Sequence, residues 1–234
     1  MRYYRYLAGI LRCKIQAFAV QSSLAINADV GDFMIREILK FPDPRLREVS
    51  KSTDKVTEYH RKLAEDLIET MYASNGIGLA APQIGELVRM LVIDTRSREE
   101  GGRRYKYEEM TELERAVQQP LIVINPVIVK GEGKTTFDEG CLSIPGYYET
   151  VERYNYIEVK ALNEKGKEIL IKTDGLLAIC LQHEMDHLEG TLFLDHLSLI
   201  KSSKIKNQIK KHGYPKPKSE EETEDEDVQE GVKV

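Results

Sequence analysis

The chain has 234 residues, enough for one good-sized domain with tails or at most two small ones. Hydrophobic residues make up 41%, which suffices for a proper core, and a net charge of −5 argues against general nucleic-acid binding, DNA included. Three cysteines at unrelated spacings give no disulfide framework and favour a reducing compartment, and no uninterrupted apolar run is long enough to span a membrane.

Residues 1–33 carry Arg2, Arg5, Arg12 and Lys14, with no acid before Asp29. Arg12-Cys13-Lys14 interrupts the apolar stretch that a secretory signal needs. Two readings stay open, an organellar transit peptide or an extension upstream of a true start at Met34, and they imply an organellar or a bacterial-type cytoplasmic location. From Met34 to Ser198 a compact domain is expected. MIREILK, stopped by Pro42 and Pro44, predicts an edge strand leading into a turn. Leu63, Leu67 and Met71 repeat at four, flanked by Ile68 and Tyr72, which predicts a helix over Glu58 to Ser74 ended by Asn75-Gly76. MLVIDT reads as a buried strand, and the charged stretch Arg96 to Gln119 as a surface excursion. LIVINPVIV is strand-like, with a bulge or edge at Pro126. Tyr156 to Ala161 and Glu168 to Thr173 flank the turn Asn163 to Gly166 and predict a hairpin. A helix then follows, N-capped by Asp174 and ending before Gly190. Residues 199–212 predict a basic, weakly amphipathic helix, and 213–234 an acidic tail that cannot bury a core.

The helix after Asp174 contains QHEMDHLEG, Gln182 to Gly190. Residues at i and i+4 share a helix face, so His183 and His187 can direct their imidazoles at one metal ion, with Glu184 beside it as a general base. A chance pair on a polar face is the alternative. The apolar residues Leu176, Leu177, Ile179, Cys180, Leu181 and Leu188 oppose it, because imidazoles in a core helix are costly unless paired or ligated. Catalytic sites of this kind take three protein ligands. Neither zinc-peptidase pattern supplies the third downstream: the position for a final histidine is Phe193, and no glutamate occurs between Glu189 and Glu220. Asp195 and His196 sit at no recognised spacing, so the third ligand is expected upstream.

EGCLSIPG, Glu139 to Gly146, offers Cys141, whose thiolate would be a strong ligand. It could instead be a small buried hydrophobe, or a nucleophile paired with His183. Cys180 is expected to pack against the pocket rather than to ligate. GIGLAAPQIG, Gly76 to Gly85, formally matches a dinucleotide fingerprint, but a helix precedes it and Pro82 follows. It reads better as an extended segment letting backbone approach a ligand and presenting the Gln83 amide.

GIGLAAPQIG, EGCLSIP and QHEMDH, in that order, resemble the three signature motifs of the peptide deformylase family, and the resemblance runs from about Met34 to Ser198. It implies an α+β fold with antiparallel sheets wrapped around the helix bearing the histidines. It also implies metal ligands at Cys141, His183 and His187 and a general base at Glu184. The oxyanion donors would be the Gln83 amide and the Leu142 backbone N–H. Gly78 would hold the substrate chain as an added strand, and Ile77, Leu176, Ile179, Cys180 and His183 would line the pocket for a methionine side chain. The implied activity is removal of the formyl group from N-formylmethionyl nascent peptides by a water activated at Fe2+, with Ni2+, Co2+ or Zn2+ as substitutes. Gly146-Tyr147-Tyr148 departs from the polar residues that often follow the cysteine motif. Rival readings are an H-E-x-x-H peptidase and a non-catalytic ribosome-associated module of the same fold. The basic helix 199–212 is either a solvated surface helix or an attachment to ribosomal RNA. No feature sets the oligomeric state, and a monomer is the expectation.

Overall fold

A computed structural model of the chain describes residues 34–96 and 107–215. The expectations for residues 1–33 and for 216–234 of the acidic tail, and part of that for the excursion Arg96 to Gln119, lie outside the described residues. At the start of that tail Tyr214, contrary to expectation, packs against the cluster of Leu46, Ile144 and Phe193.

The centre is an antiparallel five-stranded sheet in the order β1 (Gly78–Ala80), β2 (Met90–Ile93), β3 (Leu121–Glu132), β6 (Tyr156–Leu162) and β7 (Glu168–Asp174). A second, two-stranded sheet is formed by β4 (Thr135–Cys141) and β5 (Ile144–Arg153). Helix α1 (Glu58–Ala73) and helix α3 (Gly175–Leu188) take opposite faces of the large sheet. Alternation along β2 shows why. Leu91 and Ile93 pack with Leu177, Ala178 and Leu181 of α3, whereas Met90 and Val92 pack with Leu63, Leu67 and Met71 of α1. Covered on both sides, β2 is wholly buried, which accounts for its unbroken apolar run. The fold is therefore α+β, with the sheets wrapped around the helix that carries the histidines.

The expected bulge in β3 is present, as a register shift between Ile124 and Val127 with Asn125 at φ 52°. The hairpin β6–β7 pairs in continuous register from Tyr156 opposite Asp174 to Leu162 opposite Glu168. The end of α1 is also as expected, with Asn75 at φ 54°.

Three expectations need correction. Met34 to Lys40 forms no strand. Its N–H groups go to side chains and to a turn instead: Met34 donates to Asp66 at 2.8 Å, Arg36 to Thr70 Oγ1 at 2.9 Å and Leu39 to the Gln83 carbonyl at 2.7 Å. An alternating pattern therefore found a docking surface rather than a ladder. The end of the charged excursion lies mostly at the surface, as expected, but not throughout. It folds as helix α2 (Glu112–Ala116), and Glu114 is fully buried. Asp174 does occupy the N-cap position of α3, but its side chain makes no capping bond. Glu114 Oε1 accepts the Leu177 N–H at 3.0 Å in its place.

Helix α4 (Leu199–His212) starts at Ser198, whose Oγ accepts the Lys201 N–H. It buries Ile205 and Ile209 in a cluster with Leu46, Ile144, Val151 and Phe193, under the β4–β5 sheet. No helix among the described residues is long and apolar enough to cross a membrane.

Candidate metal centre

Helix α3 sets His183 and His187 one turn apart, their ring centroids 5.1 Å from each other. Cys141, the last residue of β4, brings its Sγ to 3.3 Å from His187 Nε2. One ligand atom from each of Cys141, His183 and His187 lies within 4.8 Å of the others, and among the described residues this is the one such group. Asp195 and His196 are elsewhere: Asp195 pairs with Arg47, and His196 Nε2 lies 2.7 Å from Asp186 Oδ2.

His183 is oriented by Glu139. Its Nδ1 lies 2.8 Å from Glu139 Oε2, and the carboxylate acceptor sets the proton on Nδ1 and leaves Nε2 for a metal. Arg153 grips the same carboxylate with two bonds, Nε to Oε1 at 2.7 Å and Nη2 to Oε2 at 2.9 Å, and reaches Asp186 at 2.6 Å. Burial would raise the Glu139 pKa, but the bonds from Arg153 and His183 outweigh it and hold the group down at about 2. Burial would likewise raise the Cys141 thiol, and the two imidazoles instead bring it down to about 5. Burial pushes Glu184 up to about 7, against the pull of both histidines. A thiolate with two imidazoles is a soft-to-borderline donor set that suits iron, nickel, cobalt or zinc rather than magnesium or calcium.

Glu184 Oε2 is buried without a protein partner. The other oxygen packs so close to β1 that a Cβ added at Gly78 would lie 2.5 Å from Glu184 Oε1. Gln83 is buried, and its carbonyl Oε1 accepts the Ala80 N–H at 2.8 Å. That bond turns the amide nitrogen toward the site, 3.6 Å from Cys141 Sγ and 3.2 Å from Ser143 Oγ.

A cavity of about 460 Å³ opens onto this cluster. Gln83, Leu142, Gly78, Ile77, Leu176, Ile179, Cys180, His183 and Glu184 all line it, so nearly every residue singled out in the sequence converges here. His187 touches the cluster but not the cavity wall. Burial raises the Cys180 thiol well above its ordinary value, consistent with a packing role. Tyr147 and Tyr148 form part of the rim, with Tyr148 laid over Gly140 and 71% exposed.

Comparison with known proteins follows the same motifs. The polypeptide deformylase family model matches residues 35–203. The chain belongs to this family. The peptide deformylase of Neisseria meningitidis serogroup C is 47% identical over 175 residues, spanning 74% of this chain and 93% of that protein. The crystal structure of peptide deformylase from Ehrlichia chaffeensis superposes with a TM-score of 0.67 at 39% identity, covering 79% of this chain and all of that one. The inhibitor complex of the Plasmodium falciparum deformylase has a TM-score of 0.60 at 30% identity, covering 74% of this chain and 97% of that one. The expectation drawn from the motifs holds: the protein is a metal-dependent hydrolase of this family, acting on the N-formyl group of nascent peptides.

Arg153 and the orienting role of Glu139 were missed from sequence. A signal existed, since Arg153 shares the inward phase of β5 with Val151, and an arginine there requires a buried acid.

Proposed function

We propose that Cys141, His183 and His187 hold the metal and that Glu184 is the general base of the deformylation. A metal bound there would supply Lewis acidity, making a water acidic enough to lose its proton near neutral pH. Glu184, with one buried oxygen unpartnered, takes that proton and passes it to the amine leaving the formyl group. The Gln83 amide and the Leu142 N–H face the charge that develops on the formyl oxygen. β1 lies at the end of the sheet, so its outer edge at Gly78 can accept the peptide as an added strand. Ile77, Leu176, Ile179 and Cys180, together with His183, enclose the methionine side chain. The observation that carries this reading is the convergence of the ligand trio with Glu184 and Gln83, at a cavity lined by all of them except His187.

Glu184→Gln tests it. Formate release from formyl-Met-Ala-Ser should fall by about 10²–10⁴-fold while metal per chain and Tm stay as in the wild type. A variant keeping more than about a tenth of the activity would refute the assignment.

The finer readings rest on the resemblance and on the donor set. Fe2+ is the physiological metal, with Ni2+, Co2+ or Zn2+ as substitutes, and the thiolate ligand makes the iron form prone to oxidation in air. Metal analysis of protein purified without oxygen decides this. The compartment is one where translation begins with formylmethionine, bacterial cytoplasm or an organelle, and N-terminal sequencing of the native protein separates the two. Helix α4 exposes Lys204, Lys210 and Lys211 beside Leu199 and Ile200, which supports docking on ribosomal RNA. Co-sedimentation that is insensitive to salt, or unchanged on removing α4, would end that idea. The protein acts as a monomer, which sedimentation of the purified chain checks.

A further inference from the structure

The segment Cys141 to Tyr147 carries a metal ligand, an oxyanion donor and part of the cavity rim, and the residues just after helix α4 hold it from behind. The Ser143 carbonyl accepts the Phe41 N–H at 2.9 Å, and the Tyr214 hydroxyl lies 3.4 Å from the same oxygen. The single hydroxyl proton of Tyr214 is aimed mainly at the Phe41 carbonyl, so the hydroxyl closes a junction between two backbone carbonyls. The Tyr214 ring meets Tyr147 edge-on, with centroids 6.5 Å apart at 68°. Pro215 fills the space beside Gly146, where an added Cβ would lie 3.0 Å from its ring. On the other side, Ser143 is fully buried and its Oγ lies 3.2 Å from the Gln83 amide. The backbone from Cys141 to Ser143 is thus fixed between Gln83 and Tyr214.

We propose that Tyr214 is a positioning residue for the reaction: its hydroxyl, through Phe41 and Ser143, keeps the Leu142 N–H aligned with the Gln83 amide. This rests on the reading of Leu142 as an oxyanion donor. A half-buried hydroxyl bonded to the Phe41 carbonyl beside that of Ser143 has directional consequences that ring packing alone lacks, because removing it frees one backbone oxygen while leaving the apolar cluster intact. Full loss of an oxyanion donor costs about 10²–10³ in rate, and a slight displacement of one costs less.

Tyr214→Phe is the test, since it deletes one oxygen and keeps the ring. Wild type and variant are compared by steady-state formate release from formyl-Met-Ala-Ser, metal per chain, Tm, and amide hydrogen exchange of the peptide covering 139–147. The proposal expects kcat to fall about five- to tenfold with KM within about twofold, metal per chain unchanged, and faster exchange in that peptide. Unchanged kcat and exchange would overturn it. So would a joint fall of kcat, metal content and Tm, which marks a merely structural role, or a rise in KM alone. Absence of formate release by the wild type would instead sink the deformylase reading.

Discussion

At the scale of single residues, the site is built on close approach. Gly78 is a glycine because of Glu184, not because of its backbone angles: an added Cβ would meet Glu184 Oε1 at 2.5 Å and Cys180 Sγ at 2.8 Å. Both neighbours sit on the buried helix α3 and have little room to retreat. Gly78→Ala should therefore push Glu184, the proposed general base, and Cys180 of the proposed methionine pocket aside together. A displacement near 1 Å at a reacting group costs about 10²-fold, so kcat/KM should fall about 100-fold. Overpacking should cost about 1–3 kcal/mol of stability. Formate-release kinetics and thermal melts measure both, and activity within threefold of wild type would show that the carboxylate has freedom the packing denies it.

At the scale of elements, legibility in the sequence followed how local each signal was. Helix α3 was readable because its apolar residues surround it and its histidines sit at i and i+4, both properties of a single segment. Its cap was not readable. The acceptor for the Leu177 N–H comes from Glu114, 63 positions away and inside a stretch whose charge pointed to solvent. The same carboxylate accepts the Thr111 N–H at 2.8 Å, so one buried group caps the N-termini of two helices, α2 and α3. MIREILK failed for the converse reason: alternation specifies an extended chain, and only the Asp66 and Thr70 side chains decide that no strand adds to it. Glu114→Ala should leave a buried N–H without an acceptor and cost about 1–3 kcal/mol in urea unfolding. The first turns of α3 also carry Leu176, Ile179 and Cys180 of the cavity wall, so KM should rise more than kcat falls. Stability within about 0.5 kcal/mol of wild type would mean that the cap contributes nothing.

At the scale of the molecule, the three motifs converge because each brings chemistry that only makes sense beside the others, and that much the sequence carried. The ties that bring them together are long-range polar pairings with no local pattern. Asp94, just after β2, is an instance. It accepts from Tyr72 of α1 at 2.7 Å and from Nε and Nη2 of Arg96 at 2.8 Å each, and it is buried. Burial works to raise its pKa, but the bonds from Arg96 and Tyr72 prevail and the folded value lies below the ordinary 3.8. A depressed folded value means that the carboxylate's contribution is fully present above the unfolded value of 3.8 and is lost as pH falls through the lower folded one. Asp94→Asn should therefore be less stable than wild type by about 1–3 kcal/mol at pH 7, with the gap narrowing once the pH drops below about 4. Urea unfolding of both proteins at pH 7, 5 and 3.5 reads this, with a chelator in every sample so that metal loss in acid is common to both. A gap that stayed constant down to pH 3.5 would mean that the charge on Asp94 does not fasten α1 to the sheet, leaving the apolar contacts of Leu67, Met71 and Val92 to do so alone.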